Sequence, residues 1–145
     1  MTFAGINYLA IIIAGVAGWL VGAAWYNVLA KPWVAARGKT MEEFKAQVDA
    51  NKGTVHAWLP FALALIAEIA MAWVLAGIVG HLGPGQVTIR NAVISALFAW
   101  LGFVVATMLV NNAFSGRRYV LTGIDAGHWL AVLLVISVVI GWMGV

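Results

Sequence analysis

The run AWLPFALALIAEIAMAWVLAGIVG, residues 57–80, decides the fold. It carries one charged residue, Glu68, and a helix needs roughly 20 apolar residues to cross a bilayer. Working outward from it, three more segments qualify, so the expected spans are about 4–29, 57–81, 87–113 and 119–144. The first lacks a basic leader and its apolar stretch is too long for a cleaved signal peptide, so it reads as a retained span. Of the 145 residues, 64% are hydrophobic and 9% charged, with a mean hydropathy of +1.00. A soluble domain has about a quarter of its residues charged. Too little polar surface remains here to coat a globule, and lipid is the expected solvent. Residues 1–145 read as a single integral membrane domain.

The net charge of +3 does not point to nucleic acid, because the basic residues sit in short loops between the apolar runs. Lys31, Arg37, Lys39, Lys45 and Lys52 lie in loop 30–56, Arg117 and Arg118 in loop 113–119, and only Arg90 near the loop between them. An excess of Lys and Arg marks cytoplasmic loops. Loops 30–56 and 113–119 are therefore expected in the cytoplasm, with both termini outside. Thr40 and Glu43 have the spacing of a capping box. Met41, Phe44 and Val48 then recur at helical spacing, so residues 41–50 predict a short amphipathic helix on the membrane surface. The expected fold is an all-α bundle of four transmembrane helices with that helix in its first loop.

At 1.5 Å of rise per residue, Glu68 lies about 16 Å and His128 about 15 Å from the cytoplasmic ends of their spans. Asp125 lies at about 10 Å, with Thr107 close to that level. Asn111 and Asn112 sit near the same end of the third span, and Asn27 near that of the first. Every span thus places a polar group in the cytoplasmic half. Asp125 and His128 share a face at i, i+3, as do Thr107 and Asn111 at i, i+4. Ala64, Glu68, Ala72, Ala76 and Gly80 form one row of small residues broken only by the acid. Such rows let helices approach closely in lipid, and Ala14, Gly18 and Gly22 form a matching row expected to face it.

A bare carboxylate in hydrocarbon costs roughly 3 kcal/mol on insertion scales. Glu68 is expected to be protonated or paired, with His128 as the partner. Each polar residue also has a bland reading. Glu68 and His128 could make ordinary bonds between helices, Asp125 could stabilise a helix N-terminus, and Asn111 and Asn112 could cap a helix C-terminus. Arg117 and Arg118 suit anionic lipid head groups, although orientation alone also explains them. Trp25, Trp33, Trp58 and Trp142 fit interfacial belts, and Trp19, Trp73 and Trp100 are expected to fill the bundle. The spacing of Glu68, Asp125 and His128 matches no metal-ligand motif, and no metal or other cofactor is expected. Cysteine is absent. No phosphate loop, nucleophile elbow or H-E-x-x-H is present, and enzymatic activity is not expected.

WLGFVVATMLVNNAFSGRRYVLTGIDAGHW, residues 100–129, resembles the signature region of a bacterial family known as domain of unknown function 1761. The run NYLAIIIAGVAGWLVGAAWYN and the following Lys31-Pro32-Trp33 resemble it too. Asn27 stands where relatives are expected to have Ser, and Asn112-Ala113-Phe114 where an aromatic-rich stretch is usual. The resemblance implies a four-span inner-membrane protein without an assigned activity, and it draws attention to Thr107, Asn111, Arg117 and Asp125. Two functional readings follow. The first is a non-enzymatic protein acting through helix association, as a homo-oligomer or as an accessory subunit of a membrane complex. The second is a small proton-coupled transporter or channel working as an oligomer.

Overall fold

The computed structural model describes residues 3–145. It is all-helical, with α1 Tyr8–Val28, α2 Ala30–Ala36, α3 Met41–Asn51, α4 Val55–Gly80, α5 Ile89–Phe114 and α6 Tyr119–Met143. Four of these (α1, α4, α5 and α6) are long and apolar enough to cross a membrane. They run up and down, so both termini share one end of the bundle. The other end, the basic end, holds the Lys- and Arg-rich loops.

Local sequence sets the helix boundaries. Asn7 caps α1 by accepting from the Ala10 N–H at 3.1 Å. Thr88 caps α5 by accepting from Asn91 N–H at 3.2 Å. The capping box of α3 is complete: Glu43 N–H donates to Thr40 Oγ1 at 3.2 Å, and Thr40 N–H donates to the Glu43 carboxylate at 2.8 Å. Those bonds hold the Glu43 carboxyl below its usual range. The turn between α4 and α5 uses Gly83 and Gly85, both with positive φ, where a side chain would be strained.

Helix α1 is the hub of the bundle, lying against both α4 and α6. Its small-residue row faces the seam between those two helices, as the row spacing predicts. A methyl group on Gly18 would sit 3.1 Å from Val132 and 3.3 Å from Glu68. Gly15 meets α4 even more closely, with a would-be Cβ 2.5 Å from Ile69 Cγ1. At the termini end the core is apolar, built from Ile11, Ala14, Ala72, Leu75, Val79 and their α6 neighbours Val132, Ile136 and Ile140. Ser137 is the polar exception there; its hydroxyl donates to Leu133 O at 2.6 Å within α6 and also reaches Ala92 O of α5 at 3.3 Å.

Helix α5 differs from the other long helices. Only 6% of its apolar stretch is buried, against 28–39% in the others. Residues Trp100–Val105 form a π-helical segment inside it. A π segment inserts an extra residue into a turn, which moves the face that follows by about 100° of helix rotation.

Candidate functional site

The two deepest polar groups meet at one level, on either side of Gly22. A methyl group added to Gly22 would lie 2.7 Å from His128 Nε2 and 3.4 Å from Glu68 Oε1. Glycine is required here because any side chain would occupy the space between the acid and the imidazole. Both residues are buried, Glu68 at 1% and His128 at 4% relative exposure. The expected bond between them is not made. Glu68 Oε2 and His128 Nδ1 each lack a hydrogen-bond partner. The imidazole is instead held by aromatic rings, with Tyr26 at 4.7 Å and Trp129 at 4.6 Å between centroids.

These two groups line a cleft of ≈ 500 Å³ between α1, α4 and α6. Its walls are mostly aromatic: Trp19, Tyr26, Trp33, Phe44, Phe61 and Trp129. Trp19 is fixed by donation from its indole N–H to Phe61 O at 3.1 Å, which ties α1 to α4. The chemistry on offer is narrow. A buried acid without a partner can hold a proton or accept from a donor, and aromatic faces attract organic cations.

Asp125 sits one turn closer to the basic end. Its Oδ1 accepts from the Tyr26 hydroxyl at 2.8 Å and from the Trp33 indole N–H at 3.1 Å. The acid therefore clamps α1 and α2 to α6. Tyr26 is shared, bonding Asp125 while its ring lies on His128. Trp25 adds a second clamp by donating to Ile124 O at 3.1 Å. Gly127 makes room for that indole; a methyl group there would come within 2.9 Å of Trp25. A second cleft of ≈ 600 Å³ opens beside Asp125 at the basic end, with Arg37, Lys52, His56 and Arg117 around it. Trp33, Phe44, Pro60 and Phe61 line both clefts and so form the wall between them.

Several expected members fall elsewhere. Thr107 and Asn111 are exposed and do not join the cluster. The π segment is the physical reason. Counting from Trp100, which faces inward and donates to Ala126 O at 2.8 Å, a plain α-helix would turn residues 107 and 111 toward α6. One inserted residue turns Met108 and Asn112 inward instead. Asn112 Nδ2 accordingly donates to Thr122 Oγ1 at 2.8 Å. Asn27 lies at the rim of the Glu68 cleft, with its amide donating to Ala23 O of its own helix at 2.8 Å.

The tryptophans also divide differently from expectation. Trp25 and Trp33 tether helices to one another. Trp73 is 54% exposed and points outward instead of filling the bundle, whereas Trp58 and Trp142 are exposed as interfacial residues would be. Arg117 and Arg118 lie at the basic end, and Arg118 donates to Ala35 O at 3.1 Å. Among the described residues, no three His, Asp or Glu side chains come together to hold a metal ion.

Tyr26 and Trp129 belong to this site although no role was expected of either, and Trp33, expected in an interfacial belt, joins it through Asp125. Tyr26 carried a usable signal: it lies in the last turns of a span, where a phenol can reach an acid on a neighbouring helix.

The model of the family described as protein of unknown function (DUF1761) matches residues 9–141, nearly the whole chain, and the chain belongs to that family. No curated protein and no solved structure gives a significant match.

Proposed function

We propose that this DUF1761 protein is a non-enzymatic membrane protein that binds a small organic cation in the Glu68 cleft and exchanges it for a proton. The reading is carried by one observation: Glu68 is buried, without a partner at Oε2, on an aromatic-walled cleft large enough for a small molecule. A carboxylate there needs a proton or a cation to offset desolvation. One acid that accepts either but not both couples the two. The basic residues favour an orientation with loops 30–56 and 113–119 in the cytoplasm of the inner membrane and both termini outside. The whole chain then acts as a single membrane-embedded domain.

The test is tetraphenylphosphonium binding to purified protein, read by quenching of the tryptophans that wall the cleft. Wild type should bind and release a proton on binding. Glu68→Gln should lose both properties, and Glu68→Asp should keep weakened binding. Equal binding by wild type and Glu68→Gln would remove Glu68 from the site.

Association between copies is a second reading, favoured by the exposure of α5. The small-residue rows that suggested association are consumed inside the chain, where Ala14, Gly18 and Gly22 are buried against α4 and α6. Helix α5 is the element left open, with Phe98 and Phe103 each about three-quarters exposed. A homo-oligomer would use that face, and a second copy would widen a bundle too thin for a pathway. Crosslinking between cysteines introduced at Phe98 and Phe103 in native membranes tests it, and a purely monomeric product would sink it.

A further inference from the structure

At the basic end, two turns face each other across a notch of ≈ 320 Å³. One follows α2 and the other follows α5. Each contains a glycine with positive φ, Gly38 at +74° and Gly116 at +63°. These glycines reverse the chain directly beside arginines. Arg37, Arg117 and Arg118 therefore line the same notch, with Leu121 at its base and no carboxylate among the lining residues.

Two of the three guanidinium groups are held in place, and none of the three is in an ion pair. Arg37 stacks over the Trp33 ring at 4.4 Å, and Trp33 is itself fixed by Asp125. Arg118 spends one donor on Ala35 O, which ties the two turns together and leaves its remaining donors free. Lys52–Asp49 is the single ion pair among the described residues, so none of the three arginines is paired; Asp125 shares the neighbouring cleft with Arg37 and Arg117, but its Oδ1 is engaged by Tyr26 and Trp33. Like charges held this close repel one another, and an anion between them removes that cost. The N-terminus of α6, a 25-residue helix, opens beside them and adds the positive end of its dipole.

We infer that Arg37, Arg117 and Arg118 form a binding site for a phosphate-bearing anion. Guanidinium groups suit phosphate because their paired N–H donors match its oxygens. The notch lies at the end of the apolar helices, with Phe114 and Tyr119 both strongly exposed beside it. In a membrane, that is the level of lipid head groups. The phosphate can come from an anionic phospholipid or from a free phosphate compound. The sequence drew attention to Arg117 and Arg118; the fold adds Arg37, from a turn some eighty residues earlier in the chain. This site does not depend on the Glu68 cleft.

The experiment compares wild type, Arg37→Gln/Arg117→Gln and Lys45→Gln/Lys52→Gln. The last pair removes the same charge from α3 and the turn after it, outside the notch. In the lipid arm, protein is exchanged into mixed phosphatidylglycerol and phosphatidylcholine micelles and bound lipid is read by native mass spectrometry. Wild type and the lysine variant should retain phosphatidylglycerol selectively, and the arginine variant should retain at least about tenfold less, since loss of a single charge-assisted bond already implies that factor. In the free-anion arm, inorganic phosphate is titrated into lipid-depleted protein and thermal unfolding is followed. A rise in unfolding temperature for wild type and the lysine variant but not for the arginine variant, without lipid selectivity, assigns the site to a soluble phosphate. Arg37→Lys/Arg117→Lys guards against misfolding, and it should recover part of the binding. Equal lipid retention and equal phosphate response across all variants would overturn the site, as would an equal loss in the lysine variant.

Discussion

Gly22→Ala puts the geometry of the site under direct stress. The added methyl carbon would lie 2.7 Å from His128 Nε2 and 3.4 Å from Glu68 Oε1. Ordinary contact between such atoms is about 3.5 Å, so the overlap with the imidazole is about 0.8 Å. The ring has no easy retreat, because Tyr26 and Trp129 lie against it at 4.7 and 4.6 Å. Relief must come from parting α1 and α6. Overpacking of this kind costs about 1–3 kcal/mol. Replacing glycine inside a helix gives back about 0.5–1 kcal/mol. The expected net loss is therefore on the order of 1 kcal/mol, measured by thermal or denaturant unfolding in detergent. Gly77→Ala and Gly123→Ala provide the controls. Neither would-be methyl meets an atom within 4 Å, so both should be neutral or slightly stabilising. Cation binding in the cleft should fall with Gly22→Ala and persist in both controls. If Gly22→Ala matches the controls in stability and binding, the acid and the imidazole do not meet across α1, and the reasoning fails.

The register shift in α5 predicts that neighbouring asparagines behave differently. Asn112→Ala should cost about 1 kcal/mol in unfolding experiments through loss of its bond to Thr122, while Asn111→Ala stays within about 0.5 kcal/mol of wild type. Asp125→Ala leaves the Tyr26 hydroxyl and Trp33 indole without their acceptor and should destabilise by about 1–3 kcal/mol for each stranded donor. Tyr26→Phe removes one donor and strands nothing but part of an acceptor, so it should cost less in the same assay. Glu43 tests the capping box by pH. Its folded-state carboxyl titrates below the ordinary value of 4.5 because Thr40 N–H and hydroxyl hold the ionised form. The stabilisation of α3 is therefore complete above 4.5 and is lost as pH falls toward the lowered value. Amide hydrogen exchange in the first turn of α3 should accelerate over that range; Glu43→Gln should abolish the pH dependence, and Thr40→Ala, which keeps the backbone N–H, should only reduce it.

Much of this architecture was legible because helices long and apolar enough to cross a membrane leave few choices. A helix must satisfy its own backbone and reach across the hydrocarbon, so apolar length alone located α1, α4, α5 and α6 to within a few residues. Linear rise along a helix put Glu68 and His128 at one level, and the small-residue row put Gly18 and Gly22 opposite them. What failed was information about rotation. Nothing in WLGFVV marks a π segment, yet that one inserted residue moved Thr107 and Asn111 outward and Asn112 inward. Tryptophan was ambiguous for a related reason. An indole near the end of a span suits the interface, but it can equally reach sideways to a carbonyl or an acid, as Trp25 and Trp33 do. The contribution of Arg37 was hidden by distance along the chain, since only the fold brings its turn against that of Arg117.

The distribution of polar groups explains why the cleft is where it is. Beyond Gly18 toward the termini end, α1 meets α4 and α6 through Ala14, Ala72 and Val132, all fully buried. Small and branched side chains close the three-helix seam at that level. Toward the basic end the same three helices carry Trp19, Trp25 and Tyr26 on α1, Phe61 on α4, and Trp129 on α6. Large rings held at fixed angles by Phe61 O, Ile124 O and Asp125 act as spacers and keep the helices from closing. The acid lies at the boundary between the two regimes, where close packing ends and the cleft begins. A purely structural carboxylate would be expected to bond across the tight seam. Glu68 instead leaves Oε2 without a partner, opposite a glycine, on the last turn before open space. That arrangement is costly in a dry core and useful on a binding surface, which is why the cleft carries the functional reading more strongly than the helix seams do.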